Sequence, residues 1–320
     1  MTIHLVTGAA GFVGCHLVEE LVARGDDVIA LDNLSRGRAA HLRRATESLR
    51  CRFVQVDCAD EAAFLAAARD ALGGRKPAAI WHLAANSDIP AGVADARIDL
   101  RDTFMTTFAA LAVMKALDVP EFHFASSSAI YGDFGTEEIR EDSGPCRPIS
   151  NYGAMKLASE AQISAAMESL GARASIFRFP NVVGAPATHG VIFDFVNKLR
   201  ADPRRLQVLG NGTQQKAYLH VRELVAAMMF IAEHAEDKVA ILNIGPTDDG
   251  VTVREIAEAV RDIVAPDAEI IYGSGNRGWV GDVPRFRYST HRLAAMGWQP
   301  SLNSHQAISR AVLEIVESQG

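Results

Sequence analysis

Apolar residues first come in short β-type runs, "IHLVT" (3–7), "DVIAL" (27–31), "RFVQV" (52–56), "AAIWHL" (78–83), "FHFAS" (122–126) and "ASIFRF" (174–179). Between them lie segments such as "FVGCHLVEELVAR" and "DEAAFLAAARDAL", whose apolar positions recur at three and four, the period of a helix with one buried face. Strands separated by helix-length crossovers predict parallel βαβ units, hence an α/β fold with a doubly wound, Rossmann-type sheet. Past about residue 181 the rhythm gives way to loops rich in Gly, Pro and Asn ("NVVGAPATHG", "LGNGTQQ", "GSGNRGWVGDVP"), and 217–245 becomes regular again. The expected division is a dinucleotide-binding domain over 1–180 with about 217–245. A smaller, discontinuous substrate-binding domain then takes 181–216 and 246–320.

Composition adds limits. The 320 residues are 48% hydrophobic and 22% charged, enough for a substantial core. A net charge of −7 argues against a protein that tracks nucleic-acid phosphates. "MTIHLVTG" lacks the basic and apolar regions of a signal peptide, and the longest apolar run, "LVAAMMFIA", is short for a membrane span. Cys15, Cys51, Cys58 and Cys146 show no CxxC spacing, and the ten histidines form no HxxxH or HExxH pattern. A cytoplasmic protein with reduced thiols and no metal is expected.

"LVTGAAGFVG" sets Gly8, Gly11 and Gly14 between the first strand and the first helix. Glycines there permit a tight turn and let a pyrophosphate approach the helix N-terminus. Phe12 and Val13 complete the loop. Asp32, at the end of the second strand, suits the hydroxyls of an adenosine ribose, with Asn33 beside it; it would repel a 2′-phosphate. Arg36 and Arg38 would attract one, so NAD is favoured over NADP without excluding it. Asp57 and Cys58 end the third strand, where the adenine would lie. Leu83, Ala84 and Ala85 end the fourth with side chains small enough for close passage of a cofactor.

"FASSSAIYG" places Ser126, Ser127 and Ser128 at the end of the fifth strand, and "NYGAMK" puts Tyr152 and Lys156 one helical turn apart. Glycine loop, strand-end serine and YxxxK, in that order, resemble the extended short-chain dehydrogenase/reductases, in the NAD-dependent epimerase/dehydratase branch. "VTGAAGFVG", "LDNLSRG", "HLAA", "ASSSAIYG", "YGAMK", "RFPNVVG", "LGNGTQQKAYLHV" and "RGWVGDVP" carry the resemblance over nearly the whole chain. It implies Ser127, Tyr152 and Lys156 as catalytic residues, Lys156 also holding the nicotinamide ribose. Asn86, Ser87, Ser128, Asn181, Val191, Gln207, Leu209, Lys216, Trp279 and Asp282 join Ser127 and Tyr152 on the substrate side. The implied activity is that of a nucleotide-sugar 4-epimerase of the UDP-glucose/UDP-galactose kind, with tightly held NAD and a transient 4-keto sugar.

A free phenol titrates near 10, too high for a base at neutral pH. A cation about 4 Å away at an effective dielectric near 20 favours phenolate by roughly 4 kcal/mol. Lys156 and the nicotinamide ring are expected to supply that field. The related dehydratases carry an Asp-Glu pair just after the catalytic hydroxyl residue and the related decarboxylases a glutamate. Here Ser128 and Ala129 stand instead, which favours epimerisation over the alternatives, a ketoreductase or dehydratase on the same scaffold. Departures from the family pattern leave the sugar open: Trp279 and Arg277 in place of an arginine before Asp282, Lys216 for a second arginine, and Asn86-Ser87 for a lysine. The helix 102–117 lacks the usual Asn and Gly-Thr, with Thr106, Ala109 and Ala110 instead. It is apolar around much of its circumference, and 153–170 is alanine-rich; the family pairs these helices between subunits, so a homodimer is expected.

Overall fold

The computed structural model describes residues 2–135, 137–275 and 287–318. Its centre is a seven-stranded sheet of β1 (Ile3–Thr7), β2 (Asp27–Asp32), β3 (Cys51–Gln55), β4 (Ala79–His82), β5 (Glu121–Ala125), β6 (Arg173–Arg178) and β7 (Val239–Asn243). Their order is β7-β6-β5-β4-β1-β2-β3, and every pairing from β3 to β6 is parallel. The order reverses between β1 and β4, which opens a crevice beyond the carboxyl ends of those two strands. Strands covered on both faces read as unbroken apolar runs, and all four residues of β4 are buried.

The chain falls into two compact units. One comprises Met1–Gly132, Gly144–Arg178 and Met228–Leu242. Three of its helices matter below: α1 (Phe12–Ala23), α2 (Thr106–Leu117) and α3 (Asn151–Leu170). Phe64, Met114, Phe122, Ile163 and Met167 fill the layer between sheet and helices. The expected helix at 102–117 is longer: a helical run starts at Ala96, widens to π-type turns over Leu100–Met105, and tightens into α2. Ser150 caps α3, its hydroxyl accepting from the Gly153 N–H at 3.1 Å, and Gly171 ends it with φ +64°.

The other unit comprises Asp133–Ser143, Phe179–Ala227 and Asn243–Gly320. Helices Val191–Ala201, Val253–Val264 and Ser304–Ser318 enclose Phe195, Leu199, Ile256, Val260, Ile308 and Val312. Strand Arg205–Val208 pairs in parallel with Glu269–Tyr272. Thr252 and Glu255 cap Val253–Val264 reciprocally. Among the described residues no helix is long and apolar enough to cross a membrane.

Candidate active site

The glycine loop is built by exclusion of side chains. A Cβ on Gly8 (φ +66°) would stand 2.7 Å from the Ala84 nitrogen and 2.8 Å from the Leu83 carbonyl carbon. A Cβ on Gly14 would stand 2.1 Å from the Gly8 oxygen. The loop after β1 therefore lies directly on the loop after β4, and the first turn of α1 starts against the Gly8–Ala9 backbone. Phe12 and Val13 are half-buried on the first turn of α1, as are Leu83, Ala84 and Ala85 after β4. The Thr7 hydroxyl accepts from the N–H groups of Leu83 (3.2 Å) and Ala84 (3.3 Å), tying the two loops together. This cradle of bare backbone at a helix N-terminus fits a dinucleotide pyrophosphate.

Asp32 is buried and accepts from the N–H groups of Ala10 (3.0 Å) and Leu34 (2.7 Å). Burial pushes its carboxyl up, and the two N–H groups pull it part of the way back. Asn33 is exposed and accepts from the Ser35 N–H at 2.9 Å. Asp57 accepts from the Ala59 N–H at 3.0 Å and pairs with Arg101. Cys58 is buried, and burial, with the charges of Asp32 and Asp57, pushes its thiol up, so it has no thiolate character. The sequence reading missed the strap that holds Ala10. Its carbonyl accepts from the Arg38 N–H (3.2 Å) and bonds His41 Nδ1 (2.9 Å), and a Cβ on Gly37 would meet the Ala10 carbonyl carbon at 2.6 Å. Nothing in the local pattern of 37–41 signals this.

At the end of β5, Ser127 and Ser128 are half-buried and Ser126 is buried. The Ser127 hydroxyl accepts from the Ala129 N–H at 3.2 Å and lies beside the phenol of Tyr152, on which it acts electrostatically. Lys156 is buried, its ammonium donating to the Ala125 carbonyl at 2.6 Å. That ammonium lies 4.6 Å from the Phe124 ring centre and 5.7 Å from that of Tyr152. The structure thus brings Ser127, Tyr152 and Lys156 together at the carboxyl end of β5.

The acidifying field was expected from Lys156 and the nicotinamide ring together; the chain's own groups act the other way. Burial pushes Tyr152 up to about 12; the Ser127 hydroxyl offsets part of this, and the charge of Asp99 adds to it. Burial likewise pushes Lys156 down to about 7, against the charges of Glu160 and Asp99. Desolvation exceeds the mutual attraction because the ammonium is turned to the Ala125 carbonyl rather than to the phenol. By its own groups, the chain holds Tyr152 as a proton donor.

Below the serines lies a second network absent from the sequence reading. Arg178 donates to Glu160 through Nη2 (2.6 Å) and Nε (3.1 and 3.2 Å), and to the Tyr131 hydroxyl (2.8 Å). Ser126 donates to Glu160 as well. Asn86 is turned inward: its amide donates to the Asp88 carbonyl (3.0 Å) and to Asp99 (2.9 Å), and its oxygen accepts from the Asp88 N–H (2.9 Å). Its side-chain groups are engaged within the protein, while the neighbouring Ser87 is exposed.

In the other unit, exposed Asn181 opens the strand Asn181–Val183, and Val191 opens its helix. Gln207 is exposed, Leu209 is 64% exposed, and half-buried Lys216 pairs with Val251 across two short strands. Trp279 and Asp282, with Arg277, lie outside the described residues. Among those described, no cluster of His, Cys, Asp or Glu could hold a metal ion.

A crevice for a dinucleotide with a phenol and an ammonium at its mouth is the equipment of a nicotinamide-dependent enzyme. The chain belongs to the NAD dependent epimerase/dehydratase family, whose model matches residues 4–245. It is 30% identical over 315 residues to the UDP-glucose 4-epimerase of Mycolicibacterium smegmatis, covering 96% of each chain. A crystal structure of UDP-galactose 4-epimerase superposes with a TM-score of 0.85 at 31% identity, covering 99% of each chain. That of the Thermus thermophilus UDP-glucose 4-epimerase in complex with NAD gives 0.84 at 28%, covering 98% of this chain and 99% of that one.

Proposed function

We propose that the protein is an NAD-dependent nucleotide-sugar 4-epimerase acting on a UDP-linked hexose through a transient 4-keto sugar. The observation that carries this is Ser127, Tyr152 and Lys156 gathered at one strand end with no carboxylate at 128 or 129. Without such a carboxylate the site lacks the extra acid or base for losing water, so the ketone is returned to an alcohol. The UDP-sugar epimerases among the relatives support the same reading.

Gly8, Gly11, Phe12, Val13 and Gly14 would hold the NAD pyrophosphate, Asp32 and Asn33 the adenosine ribose, and Asp57 and Cys58 the adenine. Leu83, Ala84 and Ala85 would line its path to Lys156. When bound, NAD supplies the oxidant for C4 and the positive ring charge that favours the phenolate. Ser127 orients the C4 hydroxyl. Tyr152 exchanges the proton of that hydroxyl, as base in oxidation and as acid in the return. Lys156, fixed on the Ala125 carbonyl, holds its charge beside the phenol. Ser87, Ser128, Asn181, Val191, Gln207, Leu209, Lys216, Trp279 and Asp282 form the sugar-nucleotide side in this reading. The unit of Met1–Gly132, Gly144–Arg178 and Met228–Leu242 serves the cofactor and the other unit the substrate, so 133–143 and 217–227, expected on the cofactor side, go with the substrate. The enzyme works as a cytoplasmic homodimer, the faces of 102–117 and 153–170 meeting between subunits.

The test is to incubate the protein with UDP-glucose, UDP-glucuronate or UDP-N-acetylglucosamine, without added cofactor, and follow the sugar by NMR. A C4 epimer is the expected product. Turnover only with stoichiometric NADH or NADPH would replace the proposal by a ketoreductase. Tyr152→Phe should lower turnover about 100- to 10,000-fold while NAD stays bound; near-normal turnover would remove the proton-transfer role.

A further inference from the structure

Asp99 is the last residue before the helix widens at Leu100–Met105, and π-type turns concentrate at functional sites. It is fully buried, where an unsatisfied carboxylate is costly. One oxygen accepts from Asn86 Nδ2 at 2.9 Å. The Asn86 N–H in turn donates to the Thr103 hydroxyl at 3.2 Å, which fixes the residue that holds the carboxylate. The other oxygen, Oδ2, is buried with no hydrogen-bond partner among the described residues. It lies against Gly92, where a Cβ would sit 1.8 Å away. The Gly92 carbonyl accepts from Asn151 Nδ2 at 2.8 Å, and Asn151 is the first residue of α3, immediately before Tyr152. A chain of close packing and hydrogen bonds thus runs from the carboxylate to the turn that carries the phenol.

We propose that Asp99 is a positioning residue: it seats the first turn of α3 through Gly92 and Asn151, and holds a fixed negative charge behind the Tyr152–Lys156 pair. This rests on the proton-transfer role given to Tyr152 above. The charge acts on both groups, disfavouring phenolate at Tyr152 and favouring ammonium at Lys156. The other charged or titratable groups around the pair are Glu160 on α3, which also favours the Lys156 ammonium, and His82 on β4, which burial and then the Lys156 charge keep neutral. Burial raises Asp99, and the charge of Asp102, on the π-type turns, adds to it. Asp88, beside Asn86, is paired with Arg36. Because one charge biases both members of the pair in the same sense, its removal has a signature that loss of packing lacks.

The test is Asp99→Asn, which keeps shape and removes charge, in the NAD-loaded protein. With tyrosine labelled with 13C at the ring carbon bearing oxygen and Tyr152 assigned through Tyr152→Phe, the Tyr152 titration should move to lower pH. Both limbs of the pH profile of kcat/KM for sugar epimerisation should move the same way. A folded Asp99→Asn whose phenol titrates where the wild type does, or whose limbs move apart, overturns the proposal. Should that variant not fold, the wild type with 13C-labelled aspartate carboxyls decides. The Asp99 signal should inflect where Lys156 loses its proton, since coupled sites report each other's titration; a signal without that inflection overturns the proposal. Absence of turnover on any nucleotide sugar counts against the epimerase alone, since both NMR titrations read Asp99 without substrate.

Discussion

Breaking the Glu160–Arg178 pair asks what holds the floor beneath the catalytic serine. Both side chains are nearly inaccessible, 4% and 7% exposed, and the guanidinium lies 5.1 Å from the Tyr131 ring centre. Glu160→Gln removes the charge, weakens three donations from Arg178 and one from Ser126, and leaves the guanidinium buried without a counter-charge. Loss of one partner of such a pair costs about 3–5 kcal/mol, most of it the stranded charge. Arg178→Met strands the carboxylate instead and should cost as much. The double variant Glu160→Leu/Arg178→Met strands neither, so it should fall well short of the summed cost of about 6–10 kcal/mol. Urea unfolding followed by circular dichroism measures all three. Single losses below about 1 kcal/mol, the range of an exposed pair, or a double variant that is simply additive, would refute the reasoning.

Two further outcomes follow from the same geometry. Gly14→Ala drives a Cβ to 2.1 Å from the Gly8 oxygen and 2.8 Å from the Ala9 Cα, so the loop must open by overpacking worth about 1–3 kcal/mol; calorimetry should find NAD bound roughly 5- to 150-fold more weakly, and unchanged affinity would remove the cradle. His82 is buried between the Thr7 and Thr107 hydroxyls, and burial, with the charge of Lys156, pushes it down to about 3. Above pH 6.5 the ring is neutral folded or unfolded and adds no pH dependence. Below it the unfolded chain takes a proton that the folded one refuses, so stability falls between about 6.5 and 3, by at most about 5 kcal/mol. His82→Gln should flatten that slope, and an identical slope in both proteins would contradict the assignment.

The sheet was legible because its central strands are buried on both faces, so "IHLVT" and "AAIWHL" show as unbroken apolar runs in the sequence itself. The glycine loop and YxxxK were legible because backbone approach and helical spacing leave marks at short range. What stayed hidden depends on partners far along the chain. Nothing in the alanine-rich pattern of 153–170 singles out Glu160, yet it is buried on an arginine from β6. Asn86 reads as an outward polar residue after a strand, yet its partner is Asp99, thirteen positions on. Spacing likewise places the lysine beside the phenol but carries no record of how dry the site is.

The central claim is that the hydrogen taken from the sugar returns to the carbon it left. UDP-glucose carrying deuterium at C4, incubated with the protein alone in ordinary water, tests this by NMR and mass spectrometry. The account predicts the C4 epimer with its deuterium retained at C4. Replacement of that deuterium by solvent hydrogen, or no epimer from any nucleotide sugar, would contradict it.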